Sequence, residues 1–323
     1  MKKLTLSLCA GLLVHLGTNS VHAQIFVSNL NYSTIGEYDA TTGTTINASL
    51  VSSGLYNPQG IAISGNDLFV CTGNSNNINE YNATTGAQIG TGPLVSHTDA
   101  VGLAISGNDL FTANRNNNTI GEYNATTGAP IGTGTLISGI SSGLYEPTYL
   151  AISGNDLFVA NAGNANINEY NATTGAPIGT GTLVYGNNTN PTDPTALHGV
   201  GGIAISGNDL FVSDGINIIH EYNATTGAPV GTDVLVSGLA GCSALAISGN
   251  DLFVSYNGGS TIGEYDATTG APIGTGTLIS SGLHGADAIA VETQAAPEPS
   301  TWAMLLGGLG VLTFLRRRAL RTY

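Results

Sequence analysis

Between residues 24 and 293 the apolar residues come in short runs, none at helical spacing, and each run is closed by glycine, asparagine or threonine. Short apolar runs bounded by turn residues predict buried β-strands. Ile61-Ala62-Ile63 and Leu68-Phe69-Val70 flank Ser64-Gly65-Asn66-Asp67, and this Gly-Asn pair tolerates the positive φ of a tight hairpin. Ile78 to Tyr81 predicts a third strand. Asn82-Ala83-Thr84-Thr85-Gly86 follows as a turn, in which Asn bonds its own backbone and Gly takes the left-handed position. A segment of the type Ile131 to Ile137 supplies a fourth strand.

This unit recurs along the chain. Glu-Tyr stands at 37, 80, 122, 169, 221 and 264, and Ala-Ile-Ser-Gly-Asn-Asp-Leu-Phe begins at Ala62, Ala104, Ala151, Ala204 and Ala246. Four strands at a period of 42 to 52 residues predict the blade of a β-propeller. The junction of the ends fixes the ring. The first unit starts at Ile25-Phe26-Val27, which matches a second strand, and Ala288-Ile289-Ala290-Val291 after the last unit matches the missing first strand. The expected architecture is therefore all-β: a six-bladed propeller over 24–293, in which the C-terminal strand completes the N-terminal blade and protects both edges. Tyr56-Asn57-Pro58-Gln59-Gly60-Ile61-Ala62-Ile63 before Leu68-Phe69-Val70, echoed by Tyr145-Glu146-Pro147, resembles the NHL-repeat signature.

Charge separates the ends from this body. Lys2 and Lys3 open the chain and Arg316, Arg317, Arg318 and Arg321 close it, while Gln24 to Ala296 holds 20 carboxylates against Arg115 alone, a formal charge of −19. Such a body does not neutralise phosphates, which excludes nucleic-acid binding. Lys2-Lys3, the apolar run Leu4 to Leu16 and Val21-His22-Ala23 have the three parts of a secretory signal peptide, residues 1–23. Export places Cys71 and Cys242 in an oxidising compartment; two free buried thiols are the expected state, since spacing does not show that they meet.

At the other end a linker, 294–300, contains Pro297-Glu298-Pro299 and leads to an apolar span, 301–315, and a basic cytoplasmic tail, 316–323. Fifteen residues of helix rise about 22 Å, short of a hydrocarbon core of about 30 Å. As a transmembrane segment the span is marginal, with Trp302 at one interface and the arginines on the cytoplasmic side. Pro297, Glu298 and Pro299, the short span, and Arg316, Arg317 and Arg318, in that order, resemble the PEP-CTERM sorting signal of Gram-negative bacteria. A similar tail is catalogued as an ice-binding protein C-terminal domain. The resemblance implies an exosortase as processing partner, inner-membrane anchoring before cleavage, and delivery to the cell surface or an extracellular matrix.

The repeats test candidate chemistry, because a residue present in every blade is explained by building blades. The six glutamates at 37, 80, 122, 169, 221 and 264 are on that ground structural, capping or solvating the third strand. The loops entering the innermost strands vary instead. They hold His97, His198 and His284 in alternate blades, Tyr56 and Tyr145 in two others, and Glu146. These six residues form a candidate ligand ring at the channel mouth. Neutral imidazoles on three alternate blades are also a candidate divalent-metal set, His97, His198 and His284. No Ser/His/Asp or Cys/His order stands out, and the repeated Trp of quinoprotein propellers is missing, the sole Trp being Trp302. The expected function is a non-enzymatic exported binding or structural module whose partners are polysaccharide or cations. The alternative is a metal-dependent hydrolase or lactonase with its site at the channel mouth.

Overall fold

The computed structural model describes residues 23–73, 76–186, 197, 199–215, 217–256 and 259–292. The signal peptide, the Pro-Glu-Pro linker, the apolar span, the arginine tail and His198 lie outside the described residues. Ala23–Gln294 is one compact unit. Its strands form six antiparallel sheets, blades 1 to 6 along the chain, each running outward from the axis in chain order except that the last described strand is innermost in blade 1.

Blade 1 closes the ring as the sequence predicts. Its inner strand, Ala286–Glu292, pairs with Gln24–Asn29, Val291 opposite Ile25 and Ile289 opposite Val27. The Ser28 side chain accepts from the Ala288 backbone N–H at 2.8 Å. Blade 2 departs from four full strands. Its sheet has three, Pro58–Ser64, Asp67–Thr72 and Asn77–Asn82, and the fourth dwindles to two isolated bridges, Ile78 to Val95 and Tyr81 to Gln88. Pro93 stands where blades 3, 4 and 6 have Thr135, Thr182 and Thr277, and proline has no N–H to give to a ladder.

Apolar residues on both faces of each sheet pack against the neighbouring blades. The result is one cluster per blade junction, six in all, for example Phe26, Ile35 and Ala290 of blade 1 against Ile61, Leu68 and Val70 of blade 2. A second contact locks the outer rim. The glycine of each Ala-Thr-Thr-Gly turn has positive φ, and a Cβ there would strike a backbone carbonyl of the preceding blade's outer strand: Gly270 meets Leu235, and Gly43 meets Leu278 across the closure. Both the conformation and the space demand glycine.

The turns at this end of the molecule are nearly identical. In blade 2 the Asn82 Oδ1 accepts from the Thr84 and Thr85 N–H groups and the Thr85 hydroxyl, and Thr84 donates to Asn66 of the hairpin at 2.7 Å. Asn124, Asn171, Asn223 and Asp266 do the same in their blades. The Asn-Ala-Thr sequences thus serve turn chemistry.

One sequence expectation is corrected here. The six repeated glutamates do not solvate their strands: they are 4 to 9% exposed. Burial raises the pKa of each, followed by the charge of an acid in the same blade, Glu292 for Glu37 and Asp251 for Glu264. Glu169 and Glu264 are pushed up to about 7. Glu-Tyr repeats read as surface because Glu is usually exposed, yet its strand is sandwiched between blades.

Candidate functional site at the axial mouth

The ring has two unlike ends. Hairpins within the first strand pair and turns before the fourth strand are repetitive and gather at one end, where Gln24 also pairs with Glu292. Loops from second to third strand, and from each blade to the next, gather at the other end and differ in every blade. Loops that vary on a rigid scaffold are where binding concentrates.

At that variable end the inner strands carry bulges. Register shifts separate Pro58 from Ile61, Ala100 from Gly102, Pro147 from Tyr149 and Cys242 from Leu245. A bulge re-aims side chains, and at this level each blade contributes one residue, Gln59, Val101, Thr148, Gly201, Ser243 or Asp287, to the lining of one cavity of about 290 Å³. The next position is Gly60, Gly102, Gly202, Ala244 and Ala288 in five blades. A Cβ at Gly60 or Gly102 would press on the backbone of the adjacent inner strand.

Blade 4 alone has a large residue there, Tyr149, and it lies across the axis. Its hydroxyl is 3.3 Å from the Ser243 hydroxyl, two blades away, and its ring packs against the cluster between blades 4 and 5 and that between blades 6 and 1. A Cβ at Gly202 of the intervening blade would press on the backbone of the blade 6 inner strand. Burial, and then the Asp287 charge, raise the Tyr149 pKa, and the Ser243 hydroxyl partly offsets them. Burial also raises the Asp287 carboxyl. Gln59 Oε1 is buried with no hydrogen-bond partner among the described residues.

The residues singled out from sequence stand on the rim, three or four positions before the axial ring. Tyr56 is 64% exposed and Tyr145 42%. His284 is exposed and its ring lies 3.7 Å from that of Tyr32, itself exposed. His97 is exposed, with positive φ. Among the described residues no three His, Cys, Asp or Glu side chains converge as a metal set, and His198 is outside them. Glu146 is engaged: Arg115 donates to its Oε2 through Nε at 3.2 Å and Nη2 at 2.9 Å. Cys71 and Cys242 are free and buried, in blades 2 and 6. The Cys242 thiol sits 3.7 Å from an Asp214 carboxylate oxygen, and burial first, then that charge, pushes it up to about 12.

Sequence reasoning passed over Gln59, Tyr149 and Asp287. Their signal was present: within an inner strand that otherwise repeats, these positions do not.

Beyond the propeller, residues 295–319 match a family model described as the PEP-CTERM protein-sorting motif. The tail is a PEP-CTERM sorting signal. The PEP-CTERM motif implies an exported protein, processed by an exosortase and sorted to the cell surface. Comparison with curated proteins finds no match. Among solved structures, a propeller chain from a nidogen/laminin complex superposes with a TM-score of 0.67 at 12% identity, over 85% of this chain and 100% of its own. A computationally designed protein, Ika8, gives a TM-score of 0.47 at 19% identity, over 84% of this chain and 75% of its own. The first likeness establishes the fold.

Proposed function

We propose that the propeller is a non-catalytic binding module of the cell surface or extracellular matrix, and that it holds polysaccharide on its variable face. The contrast between the two ends carries this reading. The repeated end is used up in building blades, whereas the variable end displays Tyr32, Tyr56, Tyr145 and Tyr185 at 62, 64, 42 and 68% exposure around a polar cavity. Exposed aromatics on one face give apolar area with a hydrogen-bonding edge, which suits the face of a sugar ring. A body of −19 is repelled by acidic polymers and favours neutral or cationic ones.

Retention of the exported protein on its host's extracellular polysaccharide tests this. Replacing Tyr56 and Tyr145 together by Ala is expected to lower retention at least tenfold while shifting the thermal midpoint little, because exposed surface changes cost within about 0.5 kcal/mol. Unchanged retention would remove the reading.

A further inference from the structure

The axial cavity is a second, smaller site within that face. Asp287 is its one carboxylate, and the blade does not need it: the equivalent residues are Gln59, Val101, Thr148, Gly201 and Ser243. Asp287 is partly exposed, and no cation pairs with it among the described residues; the cation that also borders the cavity, Arg115, is bound through two nitrogens to Glu146. In the adjacent blade the Gln59 Oε1 is a buried acceptor that nothing among the described residues satisfies. Two acceptor-bearing side chains from neighbouring blades thus line one cavity, one of them with an unsatisfied oxygen. Around them stand hydroxyls, Thr148 donating to the Ala160 carbonyl at 3.4 Å and the Tyr149 and Ser243 pair, which either donate or accept.

We propose that this cavity binds a primary ammonium group carried on a small polyhydroxylated framework, as in an amino sugar. An ammonium has three N–H donors and no acceptor, so it satisfies Asp287 and Gln59 at once, and the framework hydroxyls meet Thr148, Ser243 and Tyr149. About 290 Å³ holds one sugar ring, and Tyr149 across the axis stops a longer chain from threading deeper. A calcium ion fits less well, since it asks for six to eight oxygens and the cavity has a single carboxylate. This deepens the reading of the variable face as a binding face, but it requires neither the rim tyrosines nor a polymer.

Calorimetric titration of the full-length chain in mild detergent with glucosamine, N-acetylglucosamine, glucose and calcium tests it. Glucosamine is expected to bind at least tenfold more tightly than glucose or N-acetylglucosamine, which lack the charge. Asp287→Asn should remove that preference, and Gln59→Leu should weaken glucosamine binding, while Ile46→Ala on the exposed outer strand of blade 1 leaves it unchanged; an unaltered thermal midpoint confirms that each variant is folded. Equal affinity for glucose and glucosamine, full glucosamine affinity in folded Asp287→Asn, or displacement of glucosamine by calcium would overturn the proposal. Loss of polymer retention in the Tyr56 and Tyr145 variant with glucosamine binding intact separates the two readings.

Discussion

The two ends of the propeller are made of the same strands and obey different rules. At the repeated end the residue in each place is dictated by a neighbour in the next blade, as Gly270 is by the Leu235 carbonyl. At the variable end the scaffold asks only for a chain that gets from one strand to the next, and the sequence is free to place Tyr149 across the axis or Asp287 beside it. A residue's recurrence therefore reports how much of it the blade has already used. The site lies where recurrence stops.

The sharpest way to break this comparison is to alter the repeated end. Gly270→Val puts a branched side chain at φ +67 against a backbone carbonyl, and a loss of about 4 kcal/mol, read by thermal or denaturant unfolding, is expected. A change of less than about 1 kcal/mol would show that the rim contacts do not hold the ring.

Blade 5 breaks the rule at a place where the blade should be uniform, and that sharpens it. His220 replaces the Gly or Asn of the other blades, as at Asn168, and Asp233 replaces a positive-φ glycine such as Gly181 while itself keeping φ 73. Both are buried, with Nδ1 and Oδ2 3.3 Å apart but not aligned as a hydrogen bond. Asp233→Gly leaves the buried His220 with no partner, and His220→Asn leaves Asp233 with only the Tyr222 hydroxyl at 3.5 Å, so either single change should cost about 2 kcal/mol. Restoring both gives the pair found in blade 4 and should recover most of that loss, a coupling on the order of 1–3 kcal/mol in a double-mutant cycle. Additive losses would mean that the two do not act as a pair.

The smallest effect is on pH dependence. Because the buried glutamates have raised folded pKa values, up to about 7 at Glu169 and Glu264, the folded chain holds protons that the unfolded chain has released above its ordinary pKa near 4.5. Stability is therefore fullest below that value and declines as pH rises toward 7. The thermal midpoint at pH 5 is expected to exceed that at pH 8 by roughly 5 °C, and Glu264→Gln to narrow the gap by about 2 °C. A midpoint that climbs from pH 5 to pH 8 would show the glutamates to be solvated after all.

The fold was legible because it is built from local rules. Ser-Gly-Asn-Asp can hardly be anything but a hairpin, and Ala288 to Val291 has no partner except the open edge beside Ile25. The site was only half legible. Tyr56, Tyr145, His97 and His284 stand at the end where the loops vary, and the residues that line the axial cavity come three or four positions later.

By itself, then, the sequence determined the number of blades, the closure of the ring, the turn chemistry and the sorting address, all of which depend on residues near one another or on a repeated pattern. The tertiary structure decided what depends on convergence: that Tyr149 reaches Ser243, that Arg115 takes Glu146, that Cys71 and Cys242 stay apart, and that the inner strands bring Gln59 and Asp287 to one cavity. No local rule fixes which residue of an inner strand faces the axis, because that direction exists only once six blades have closed around it.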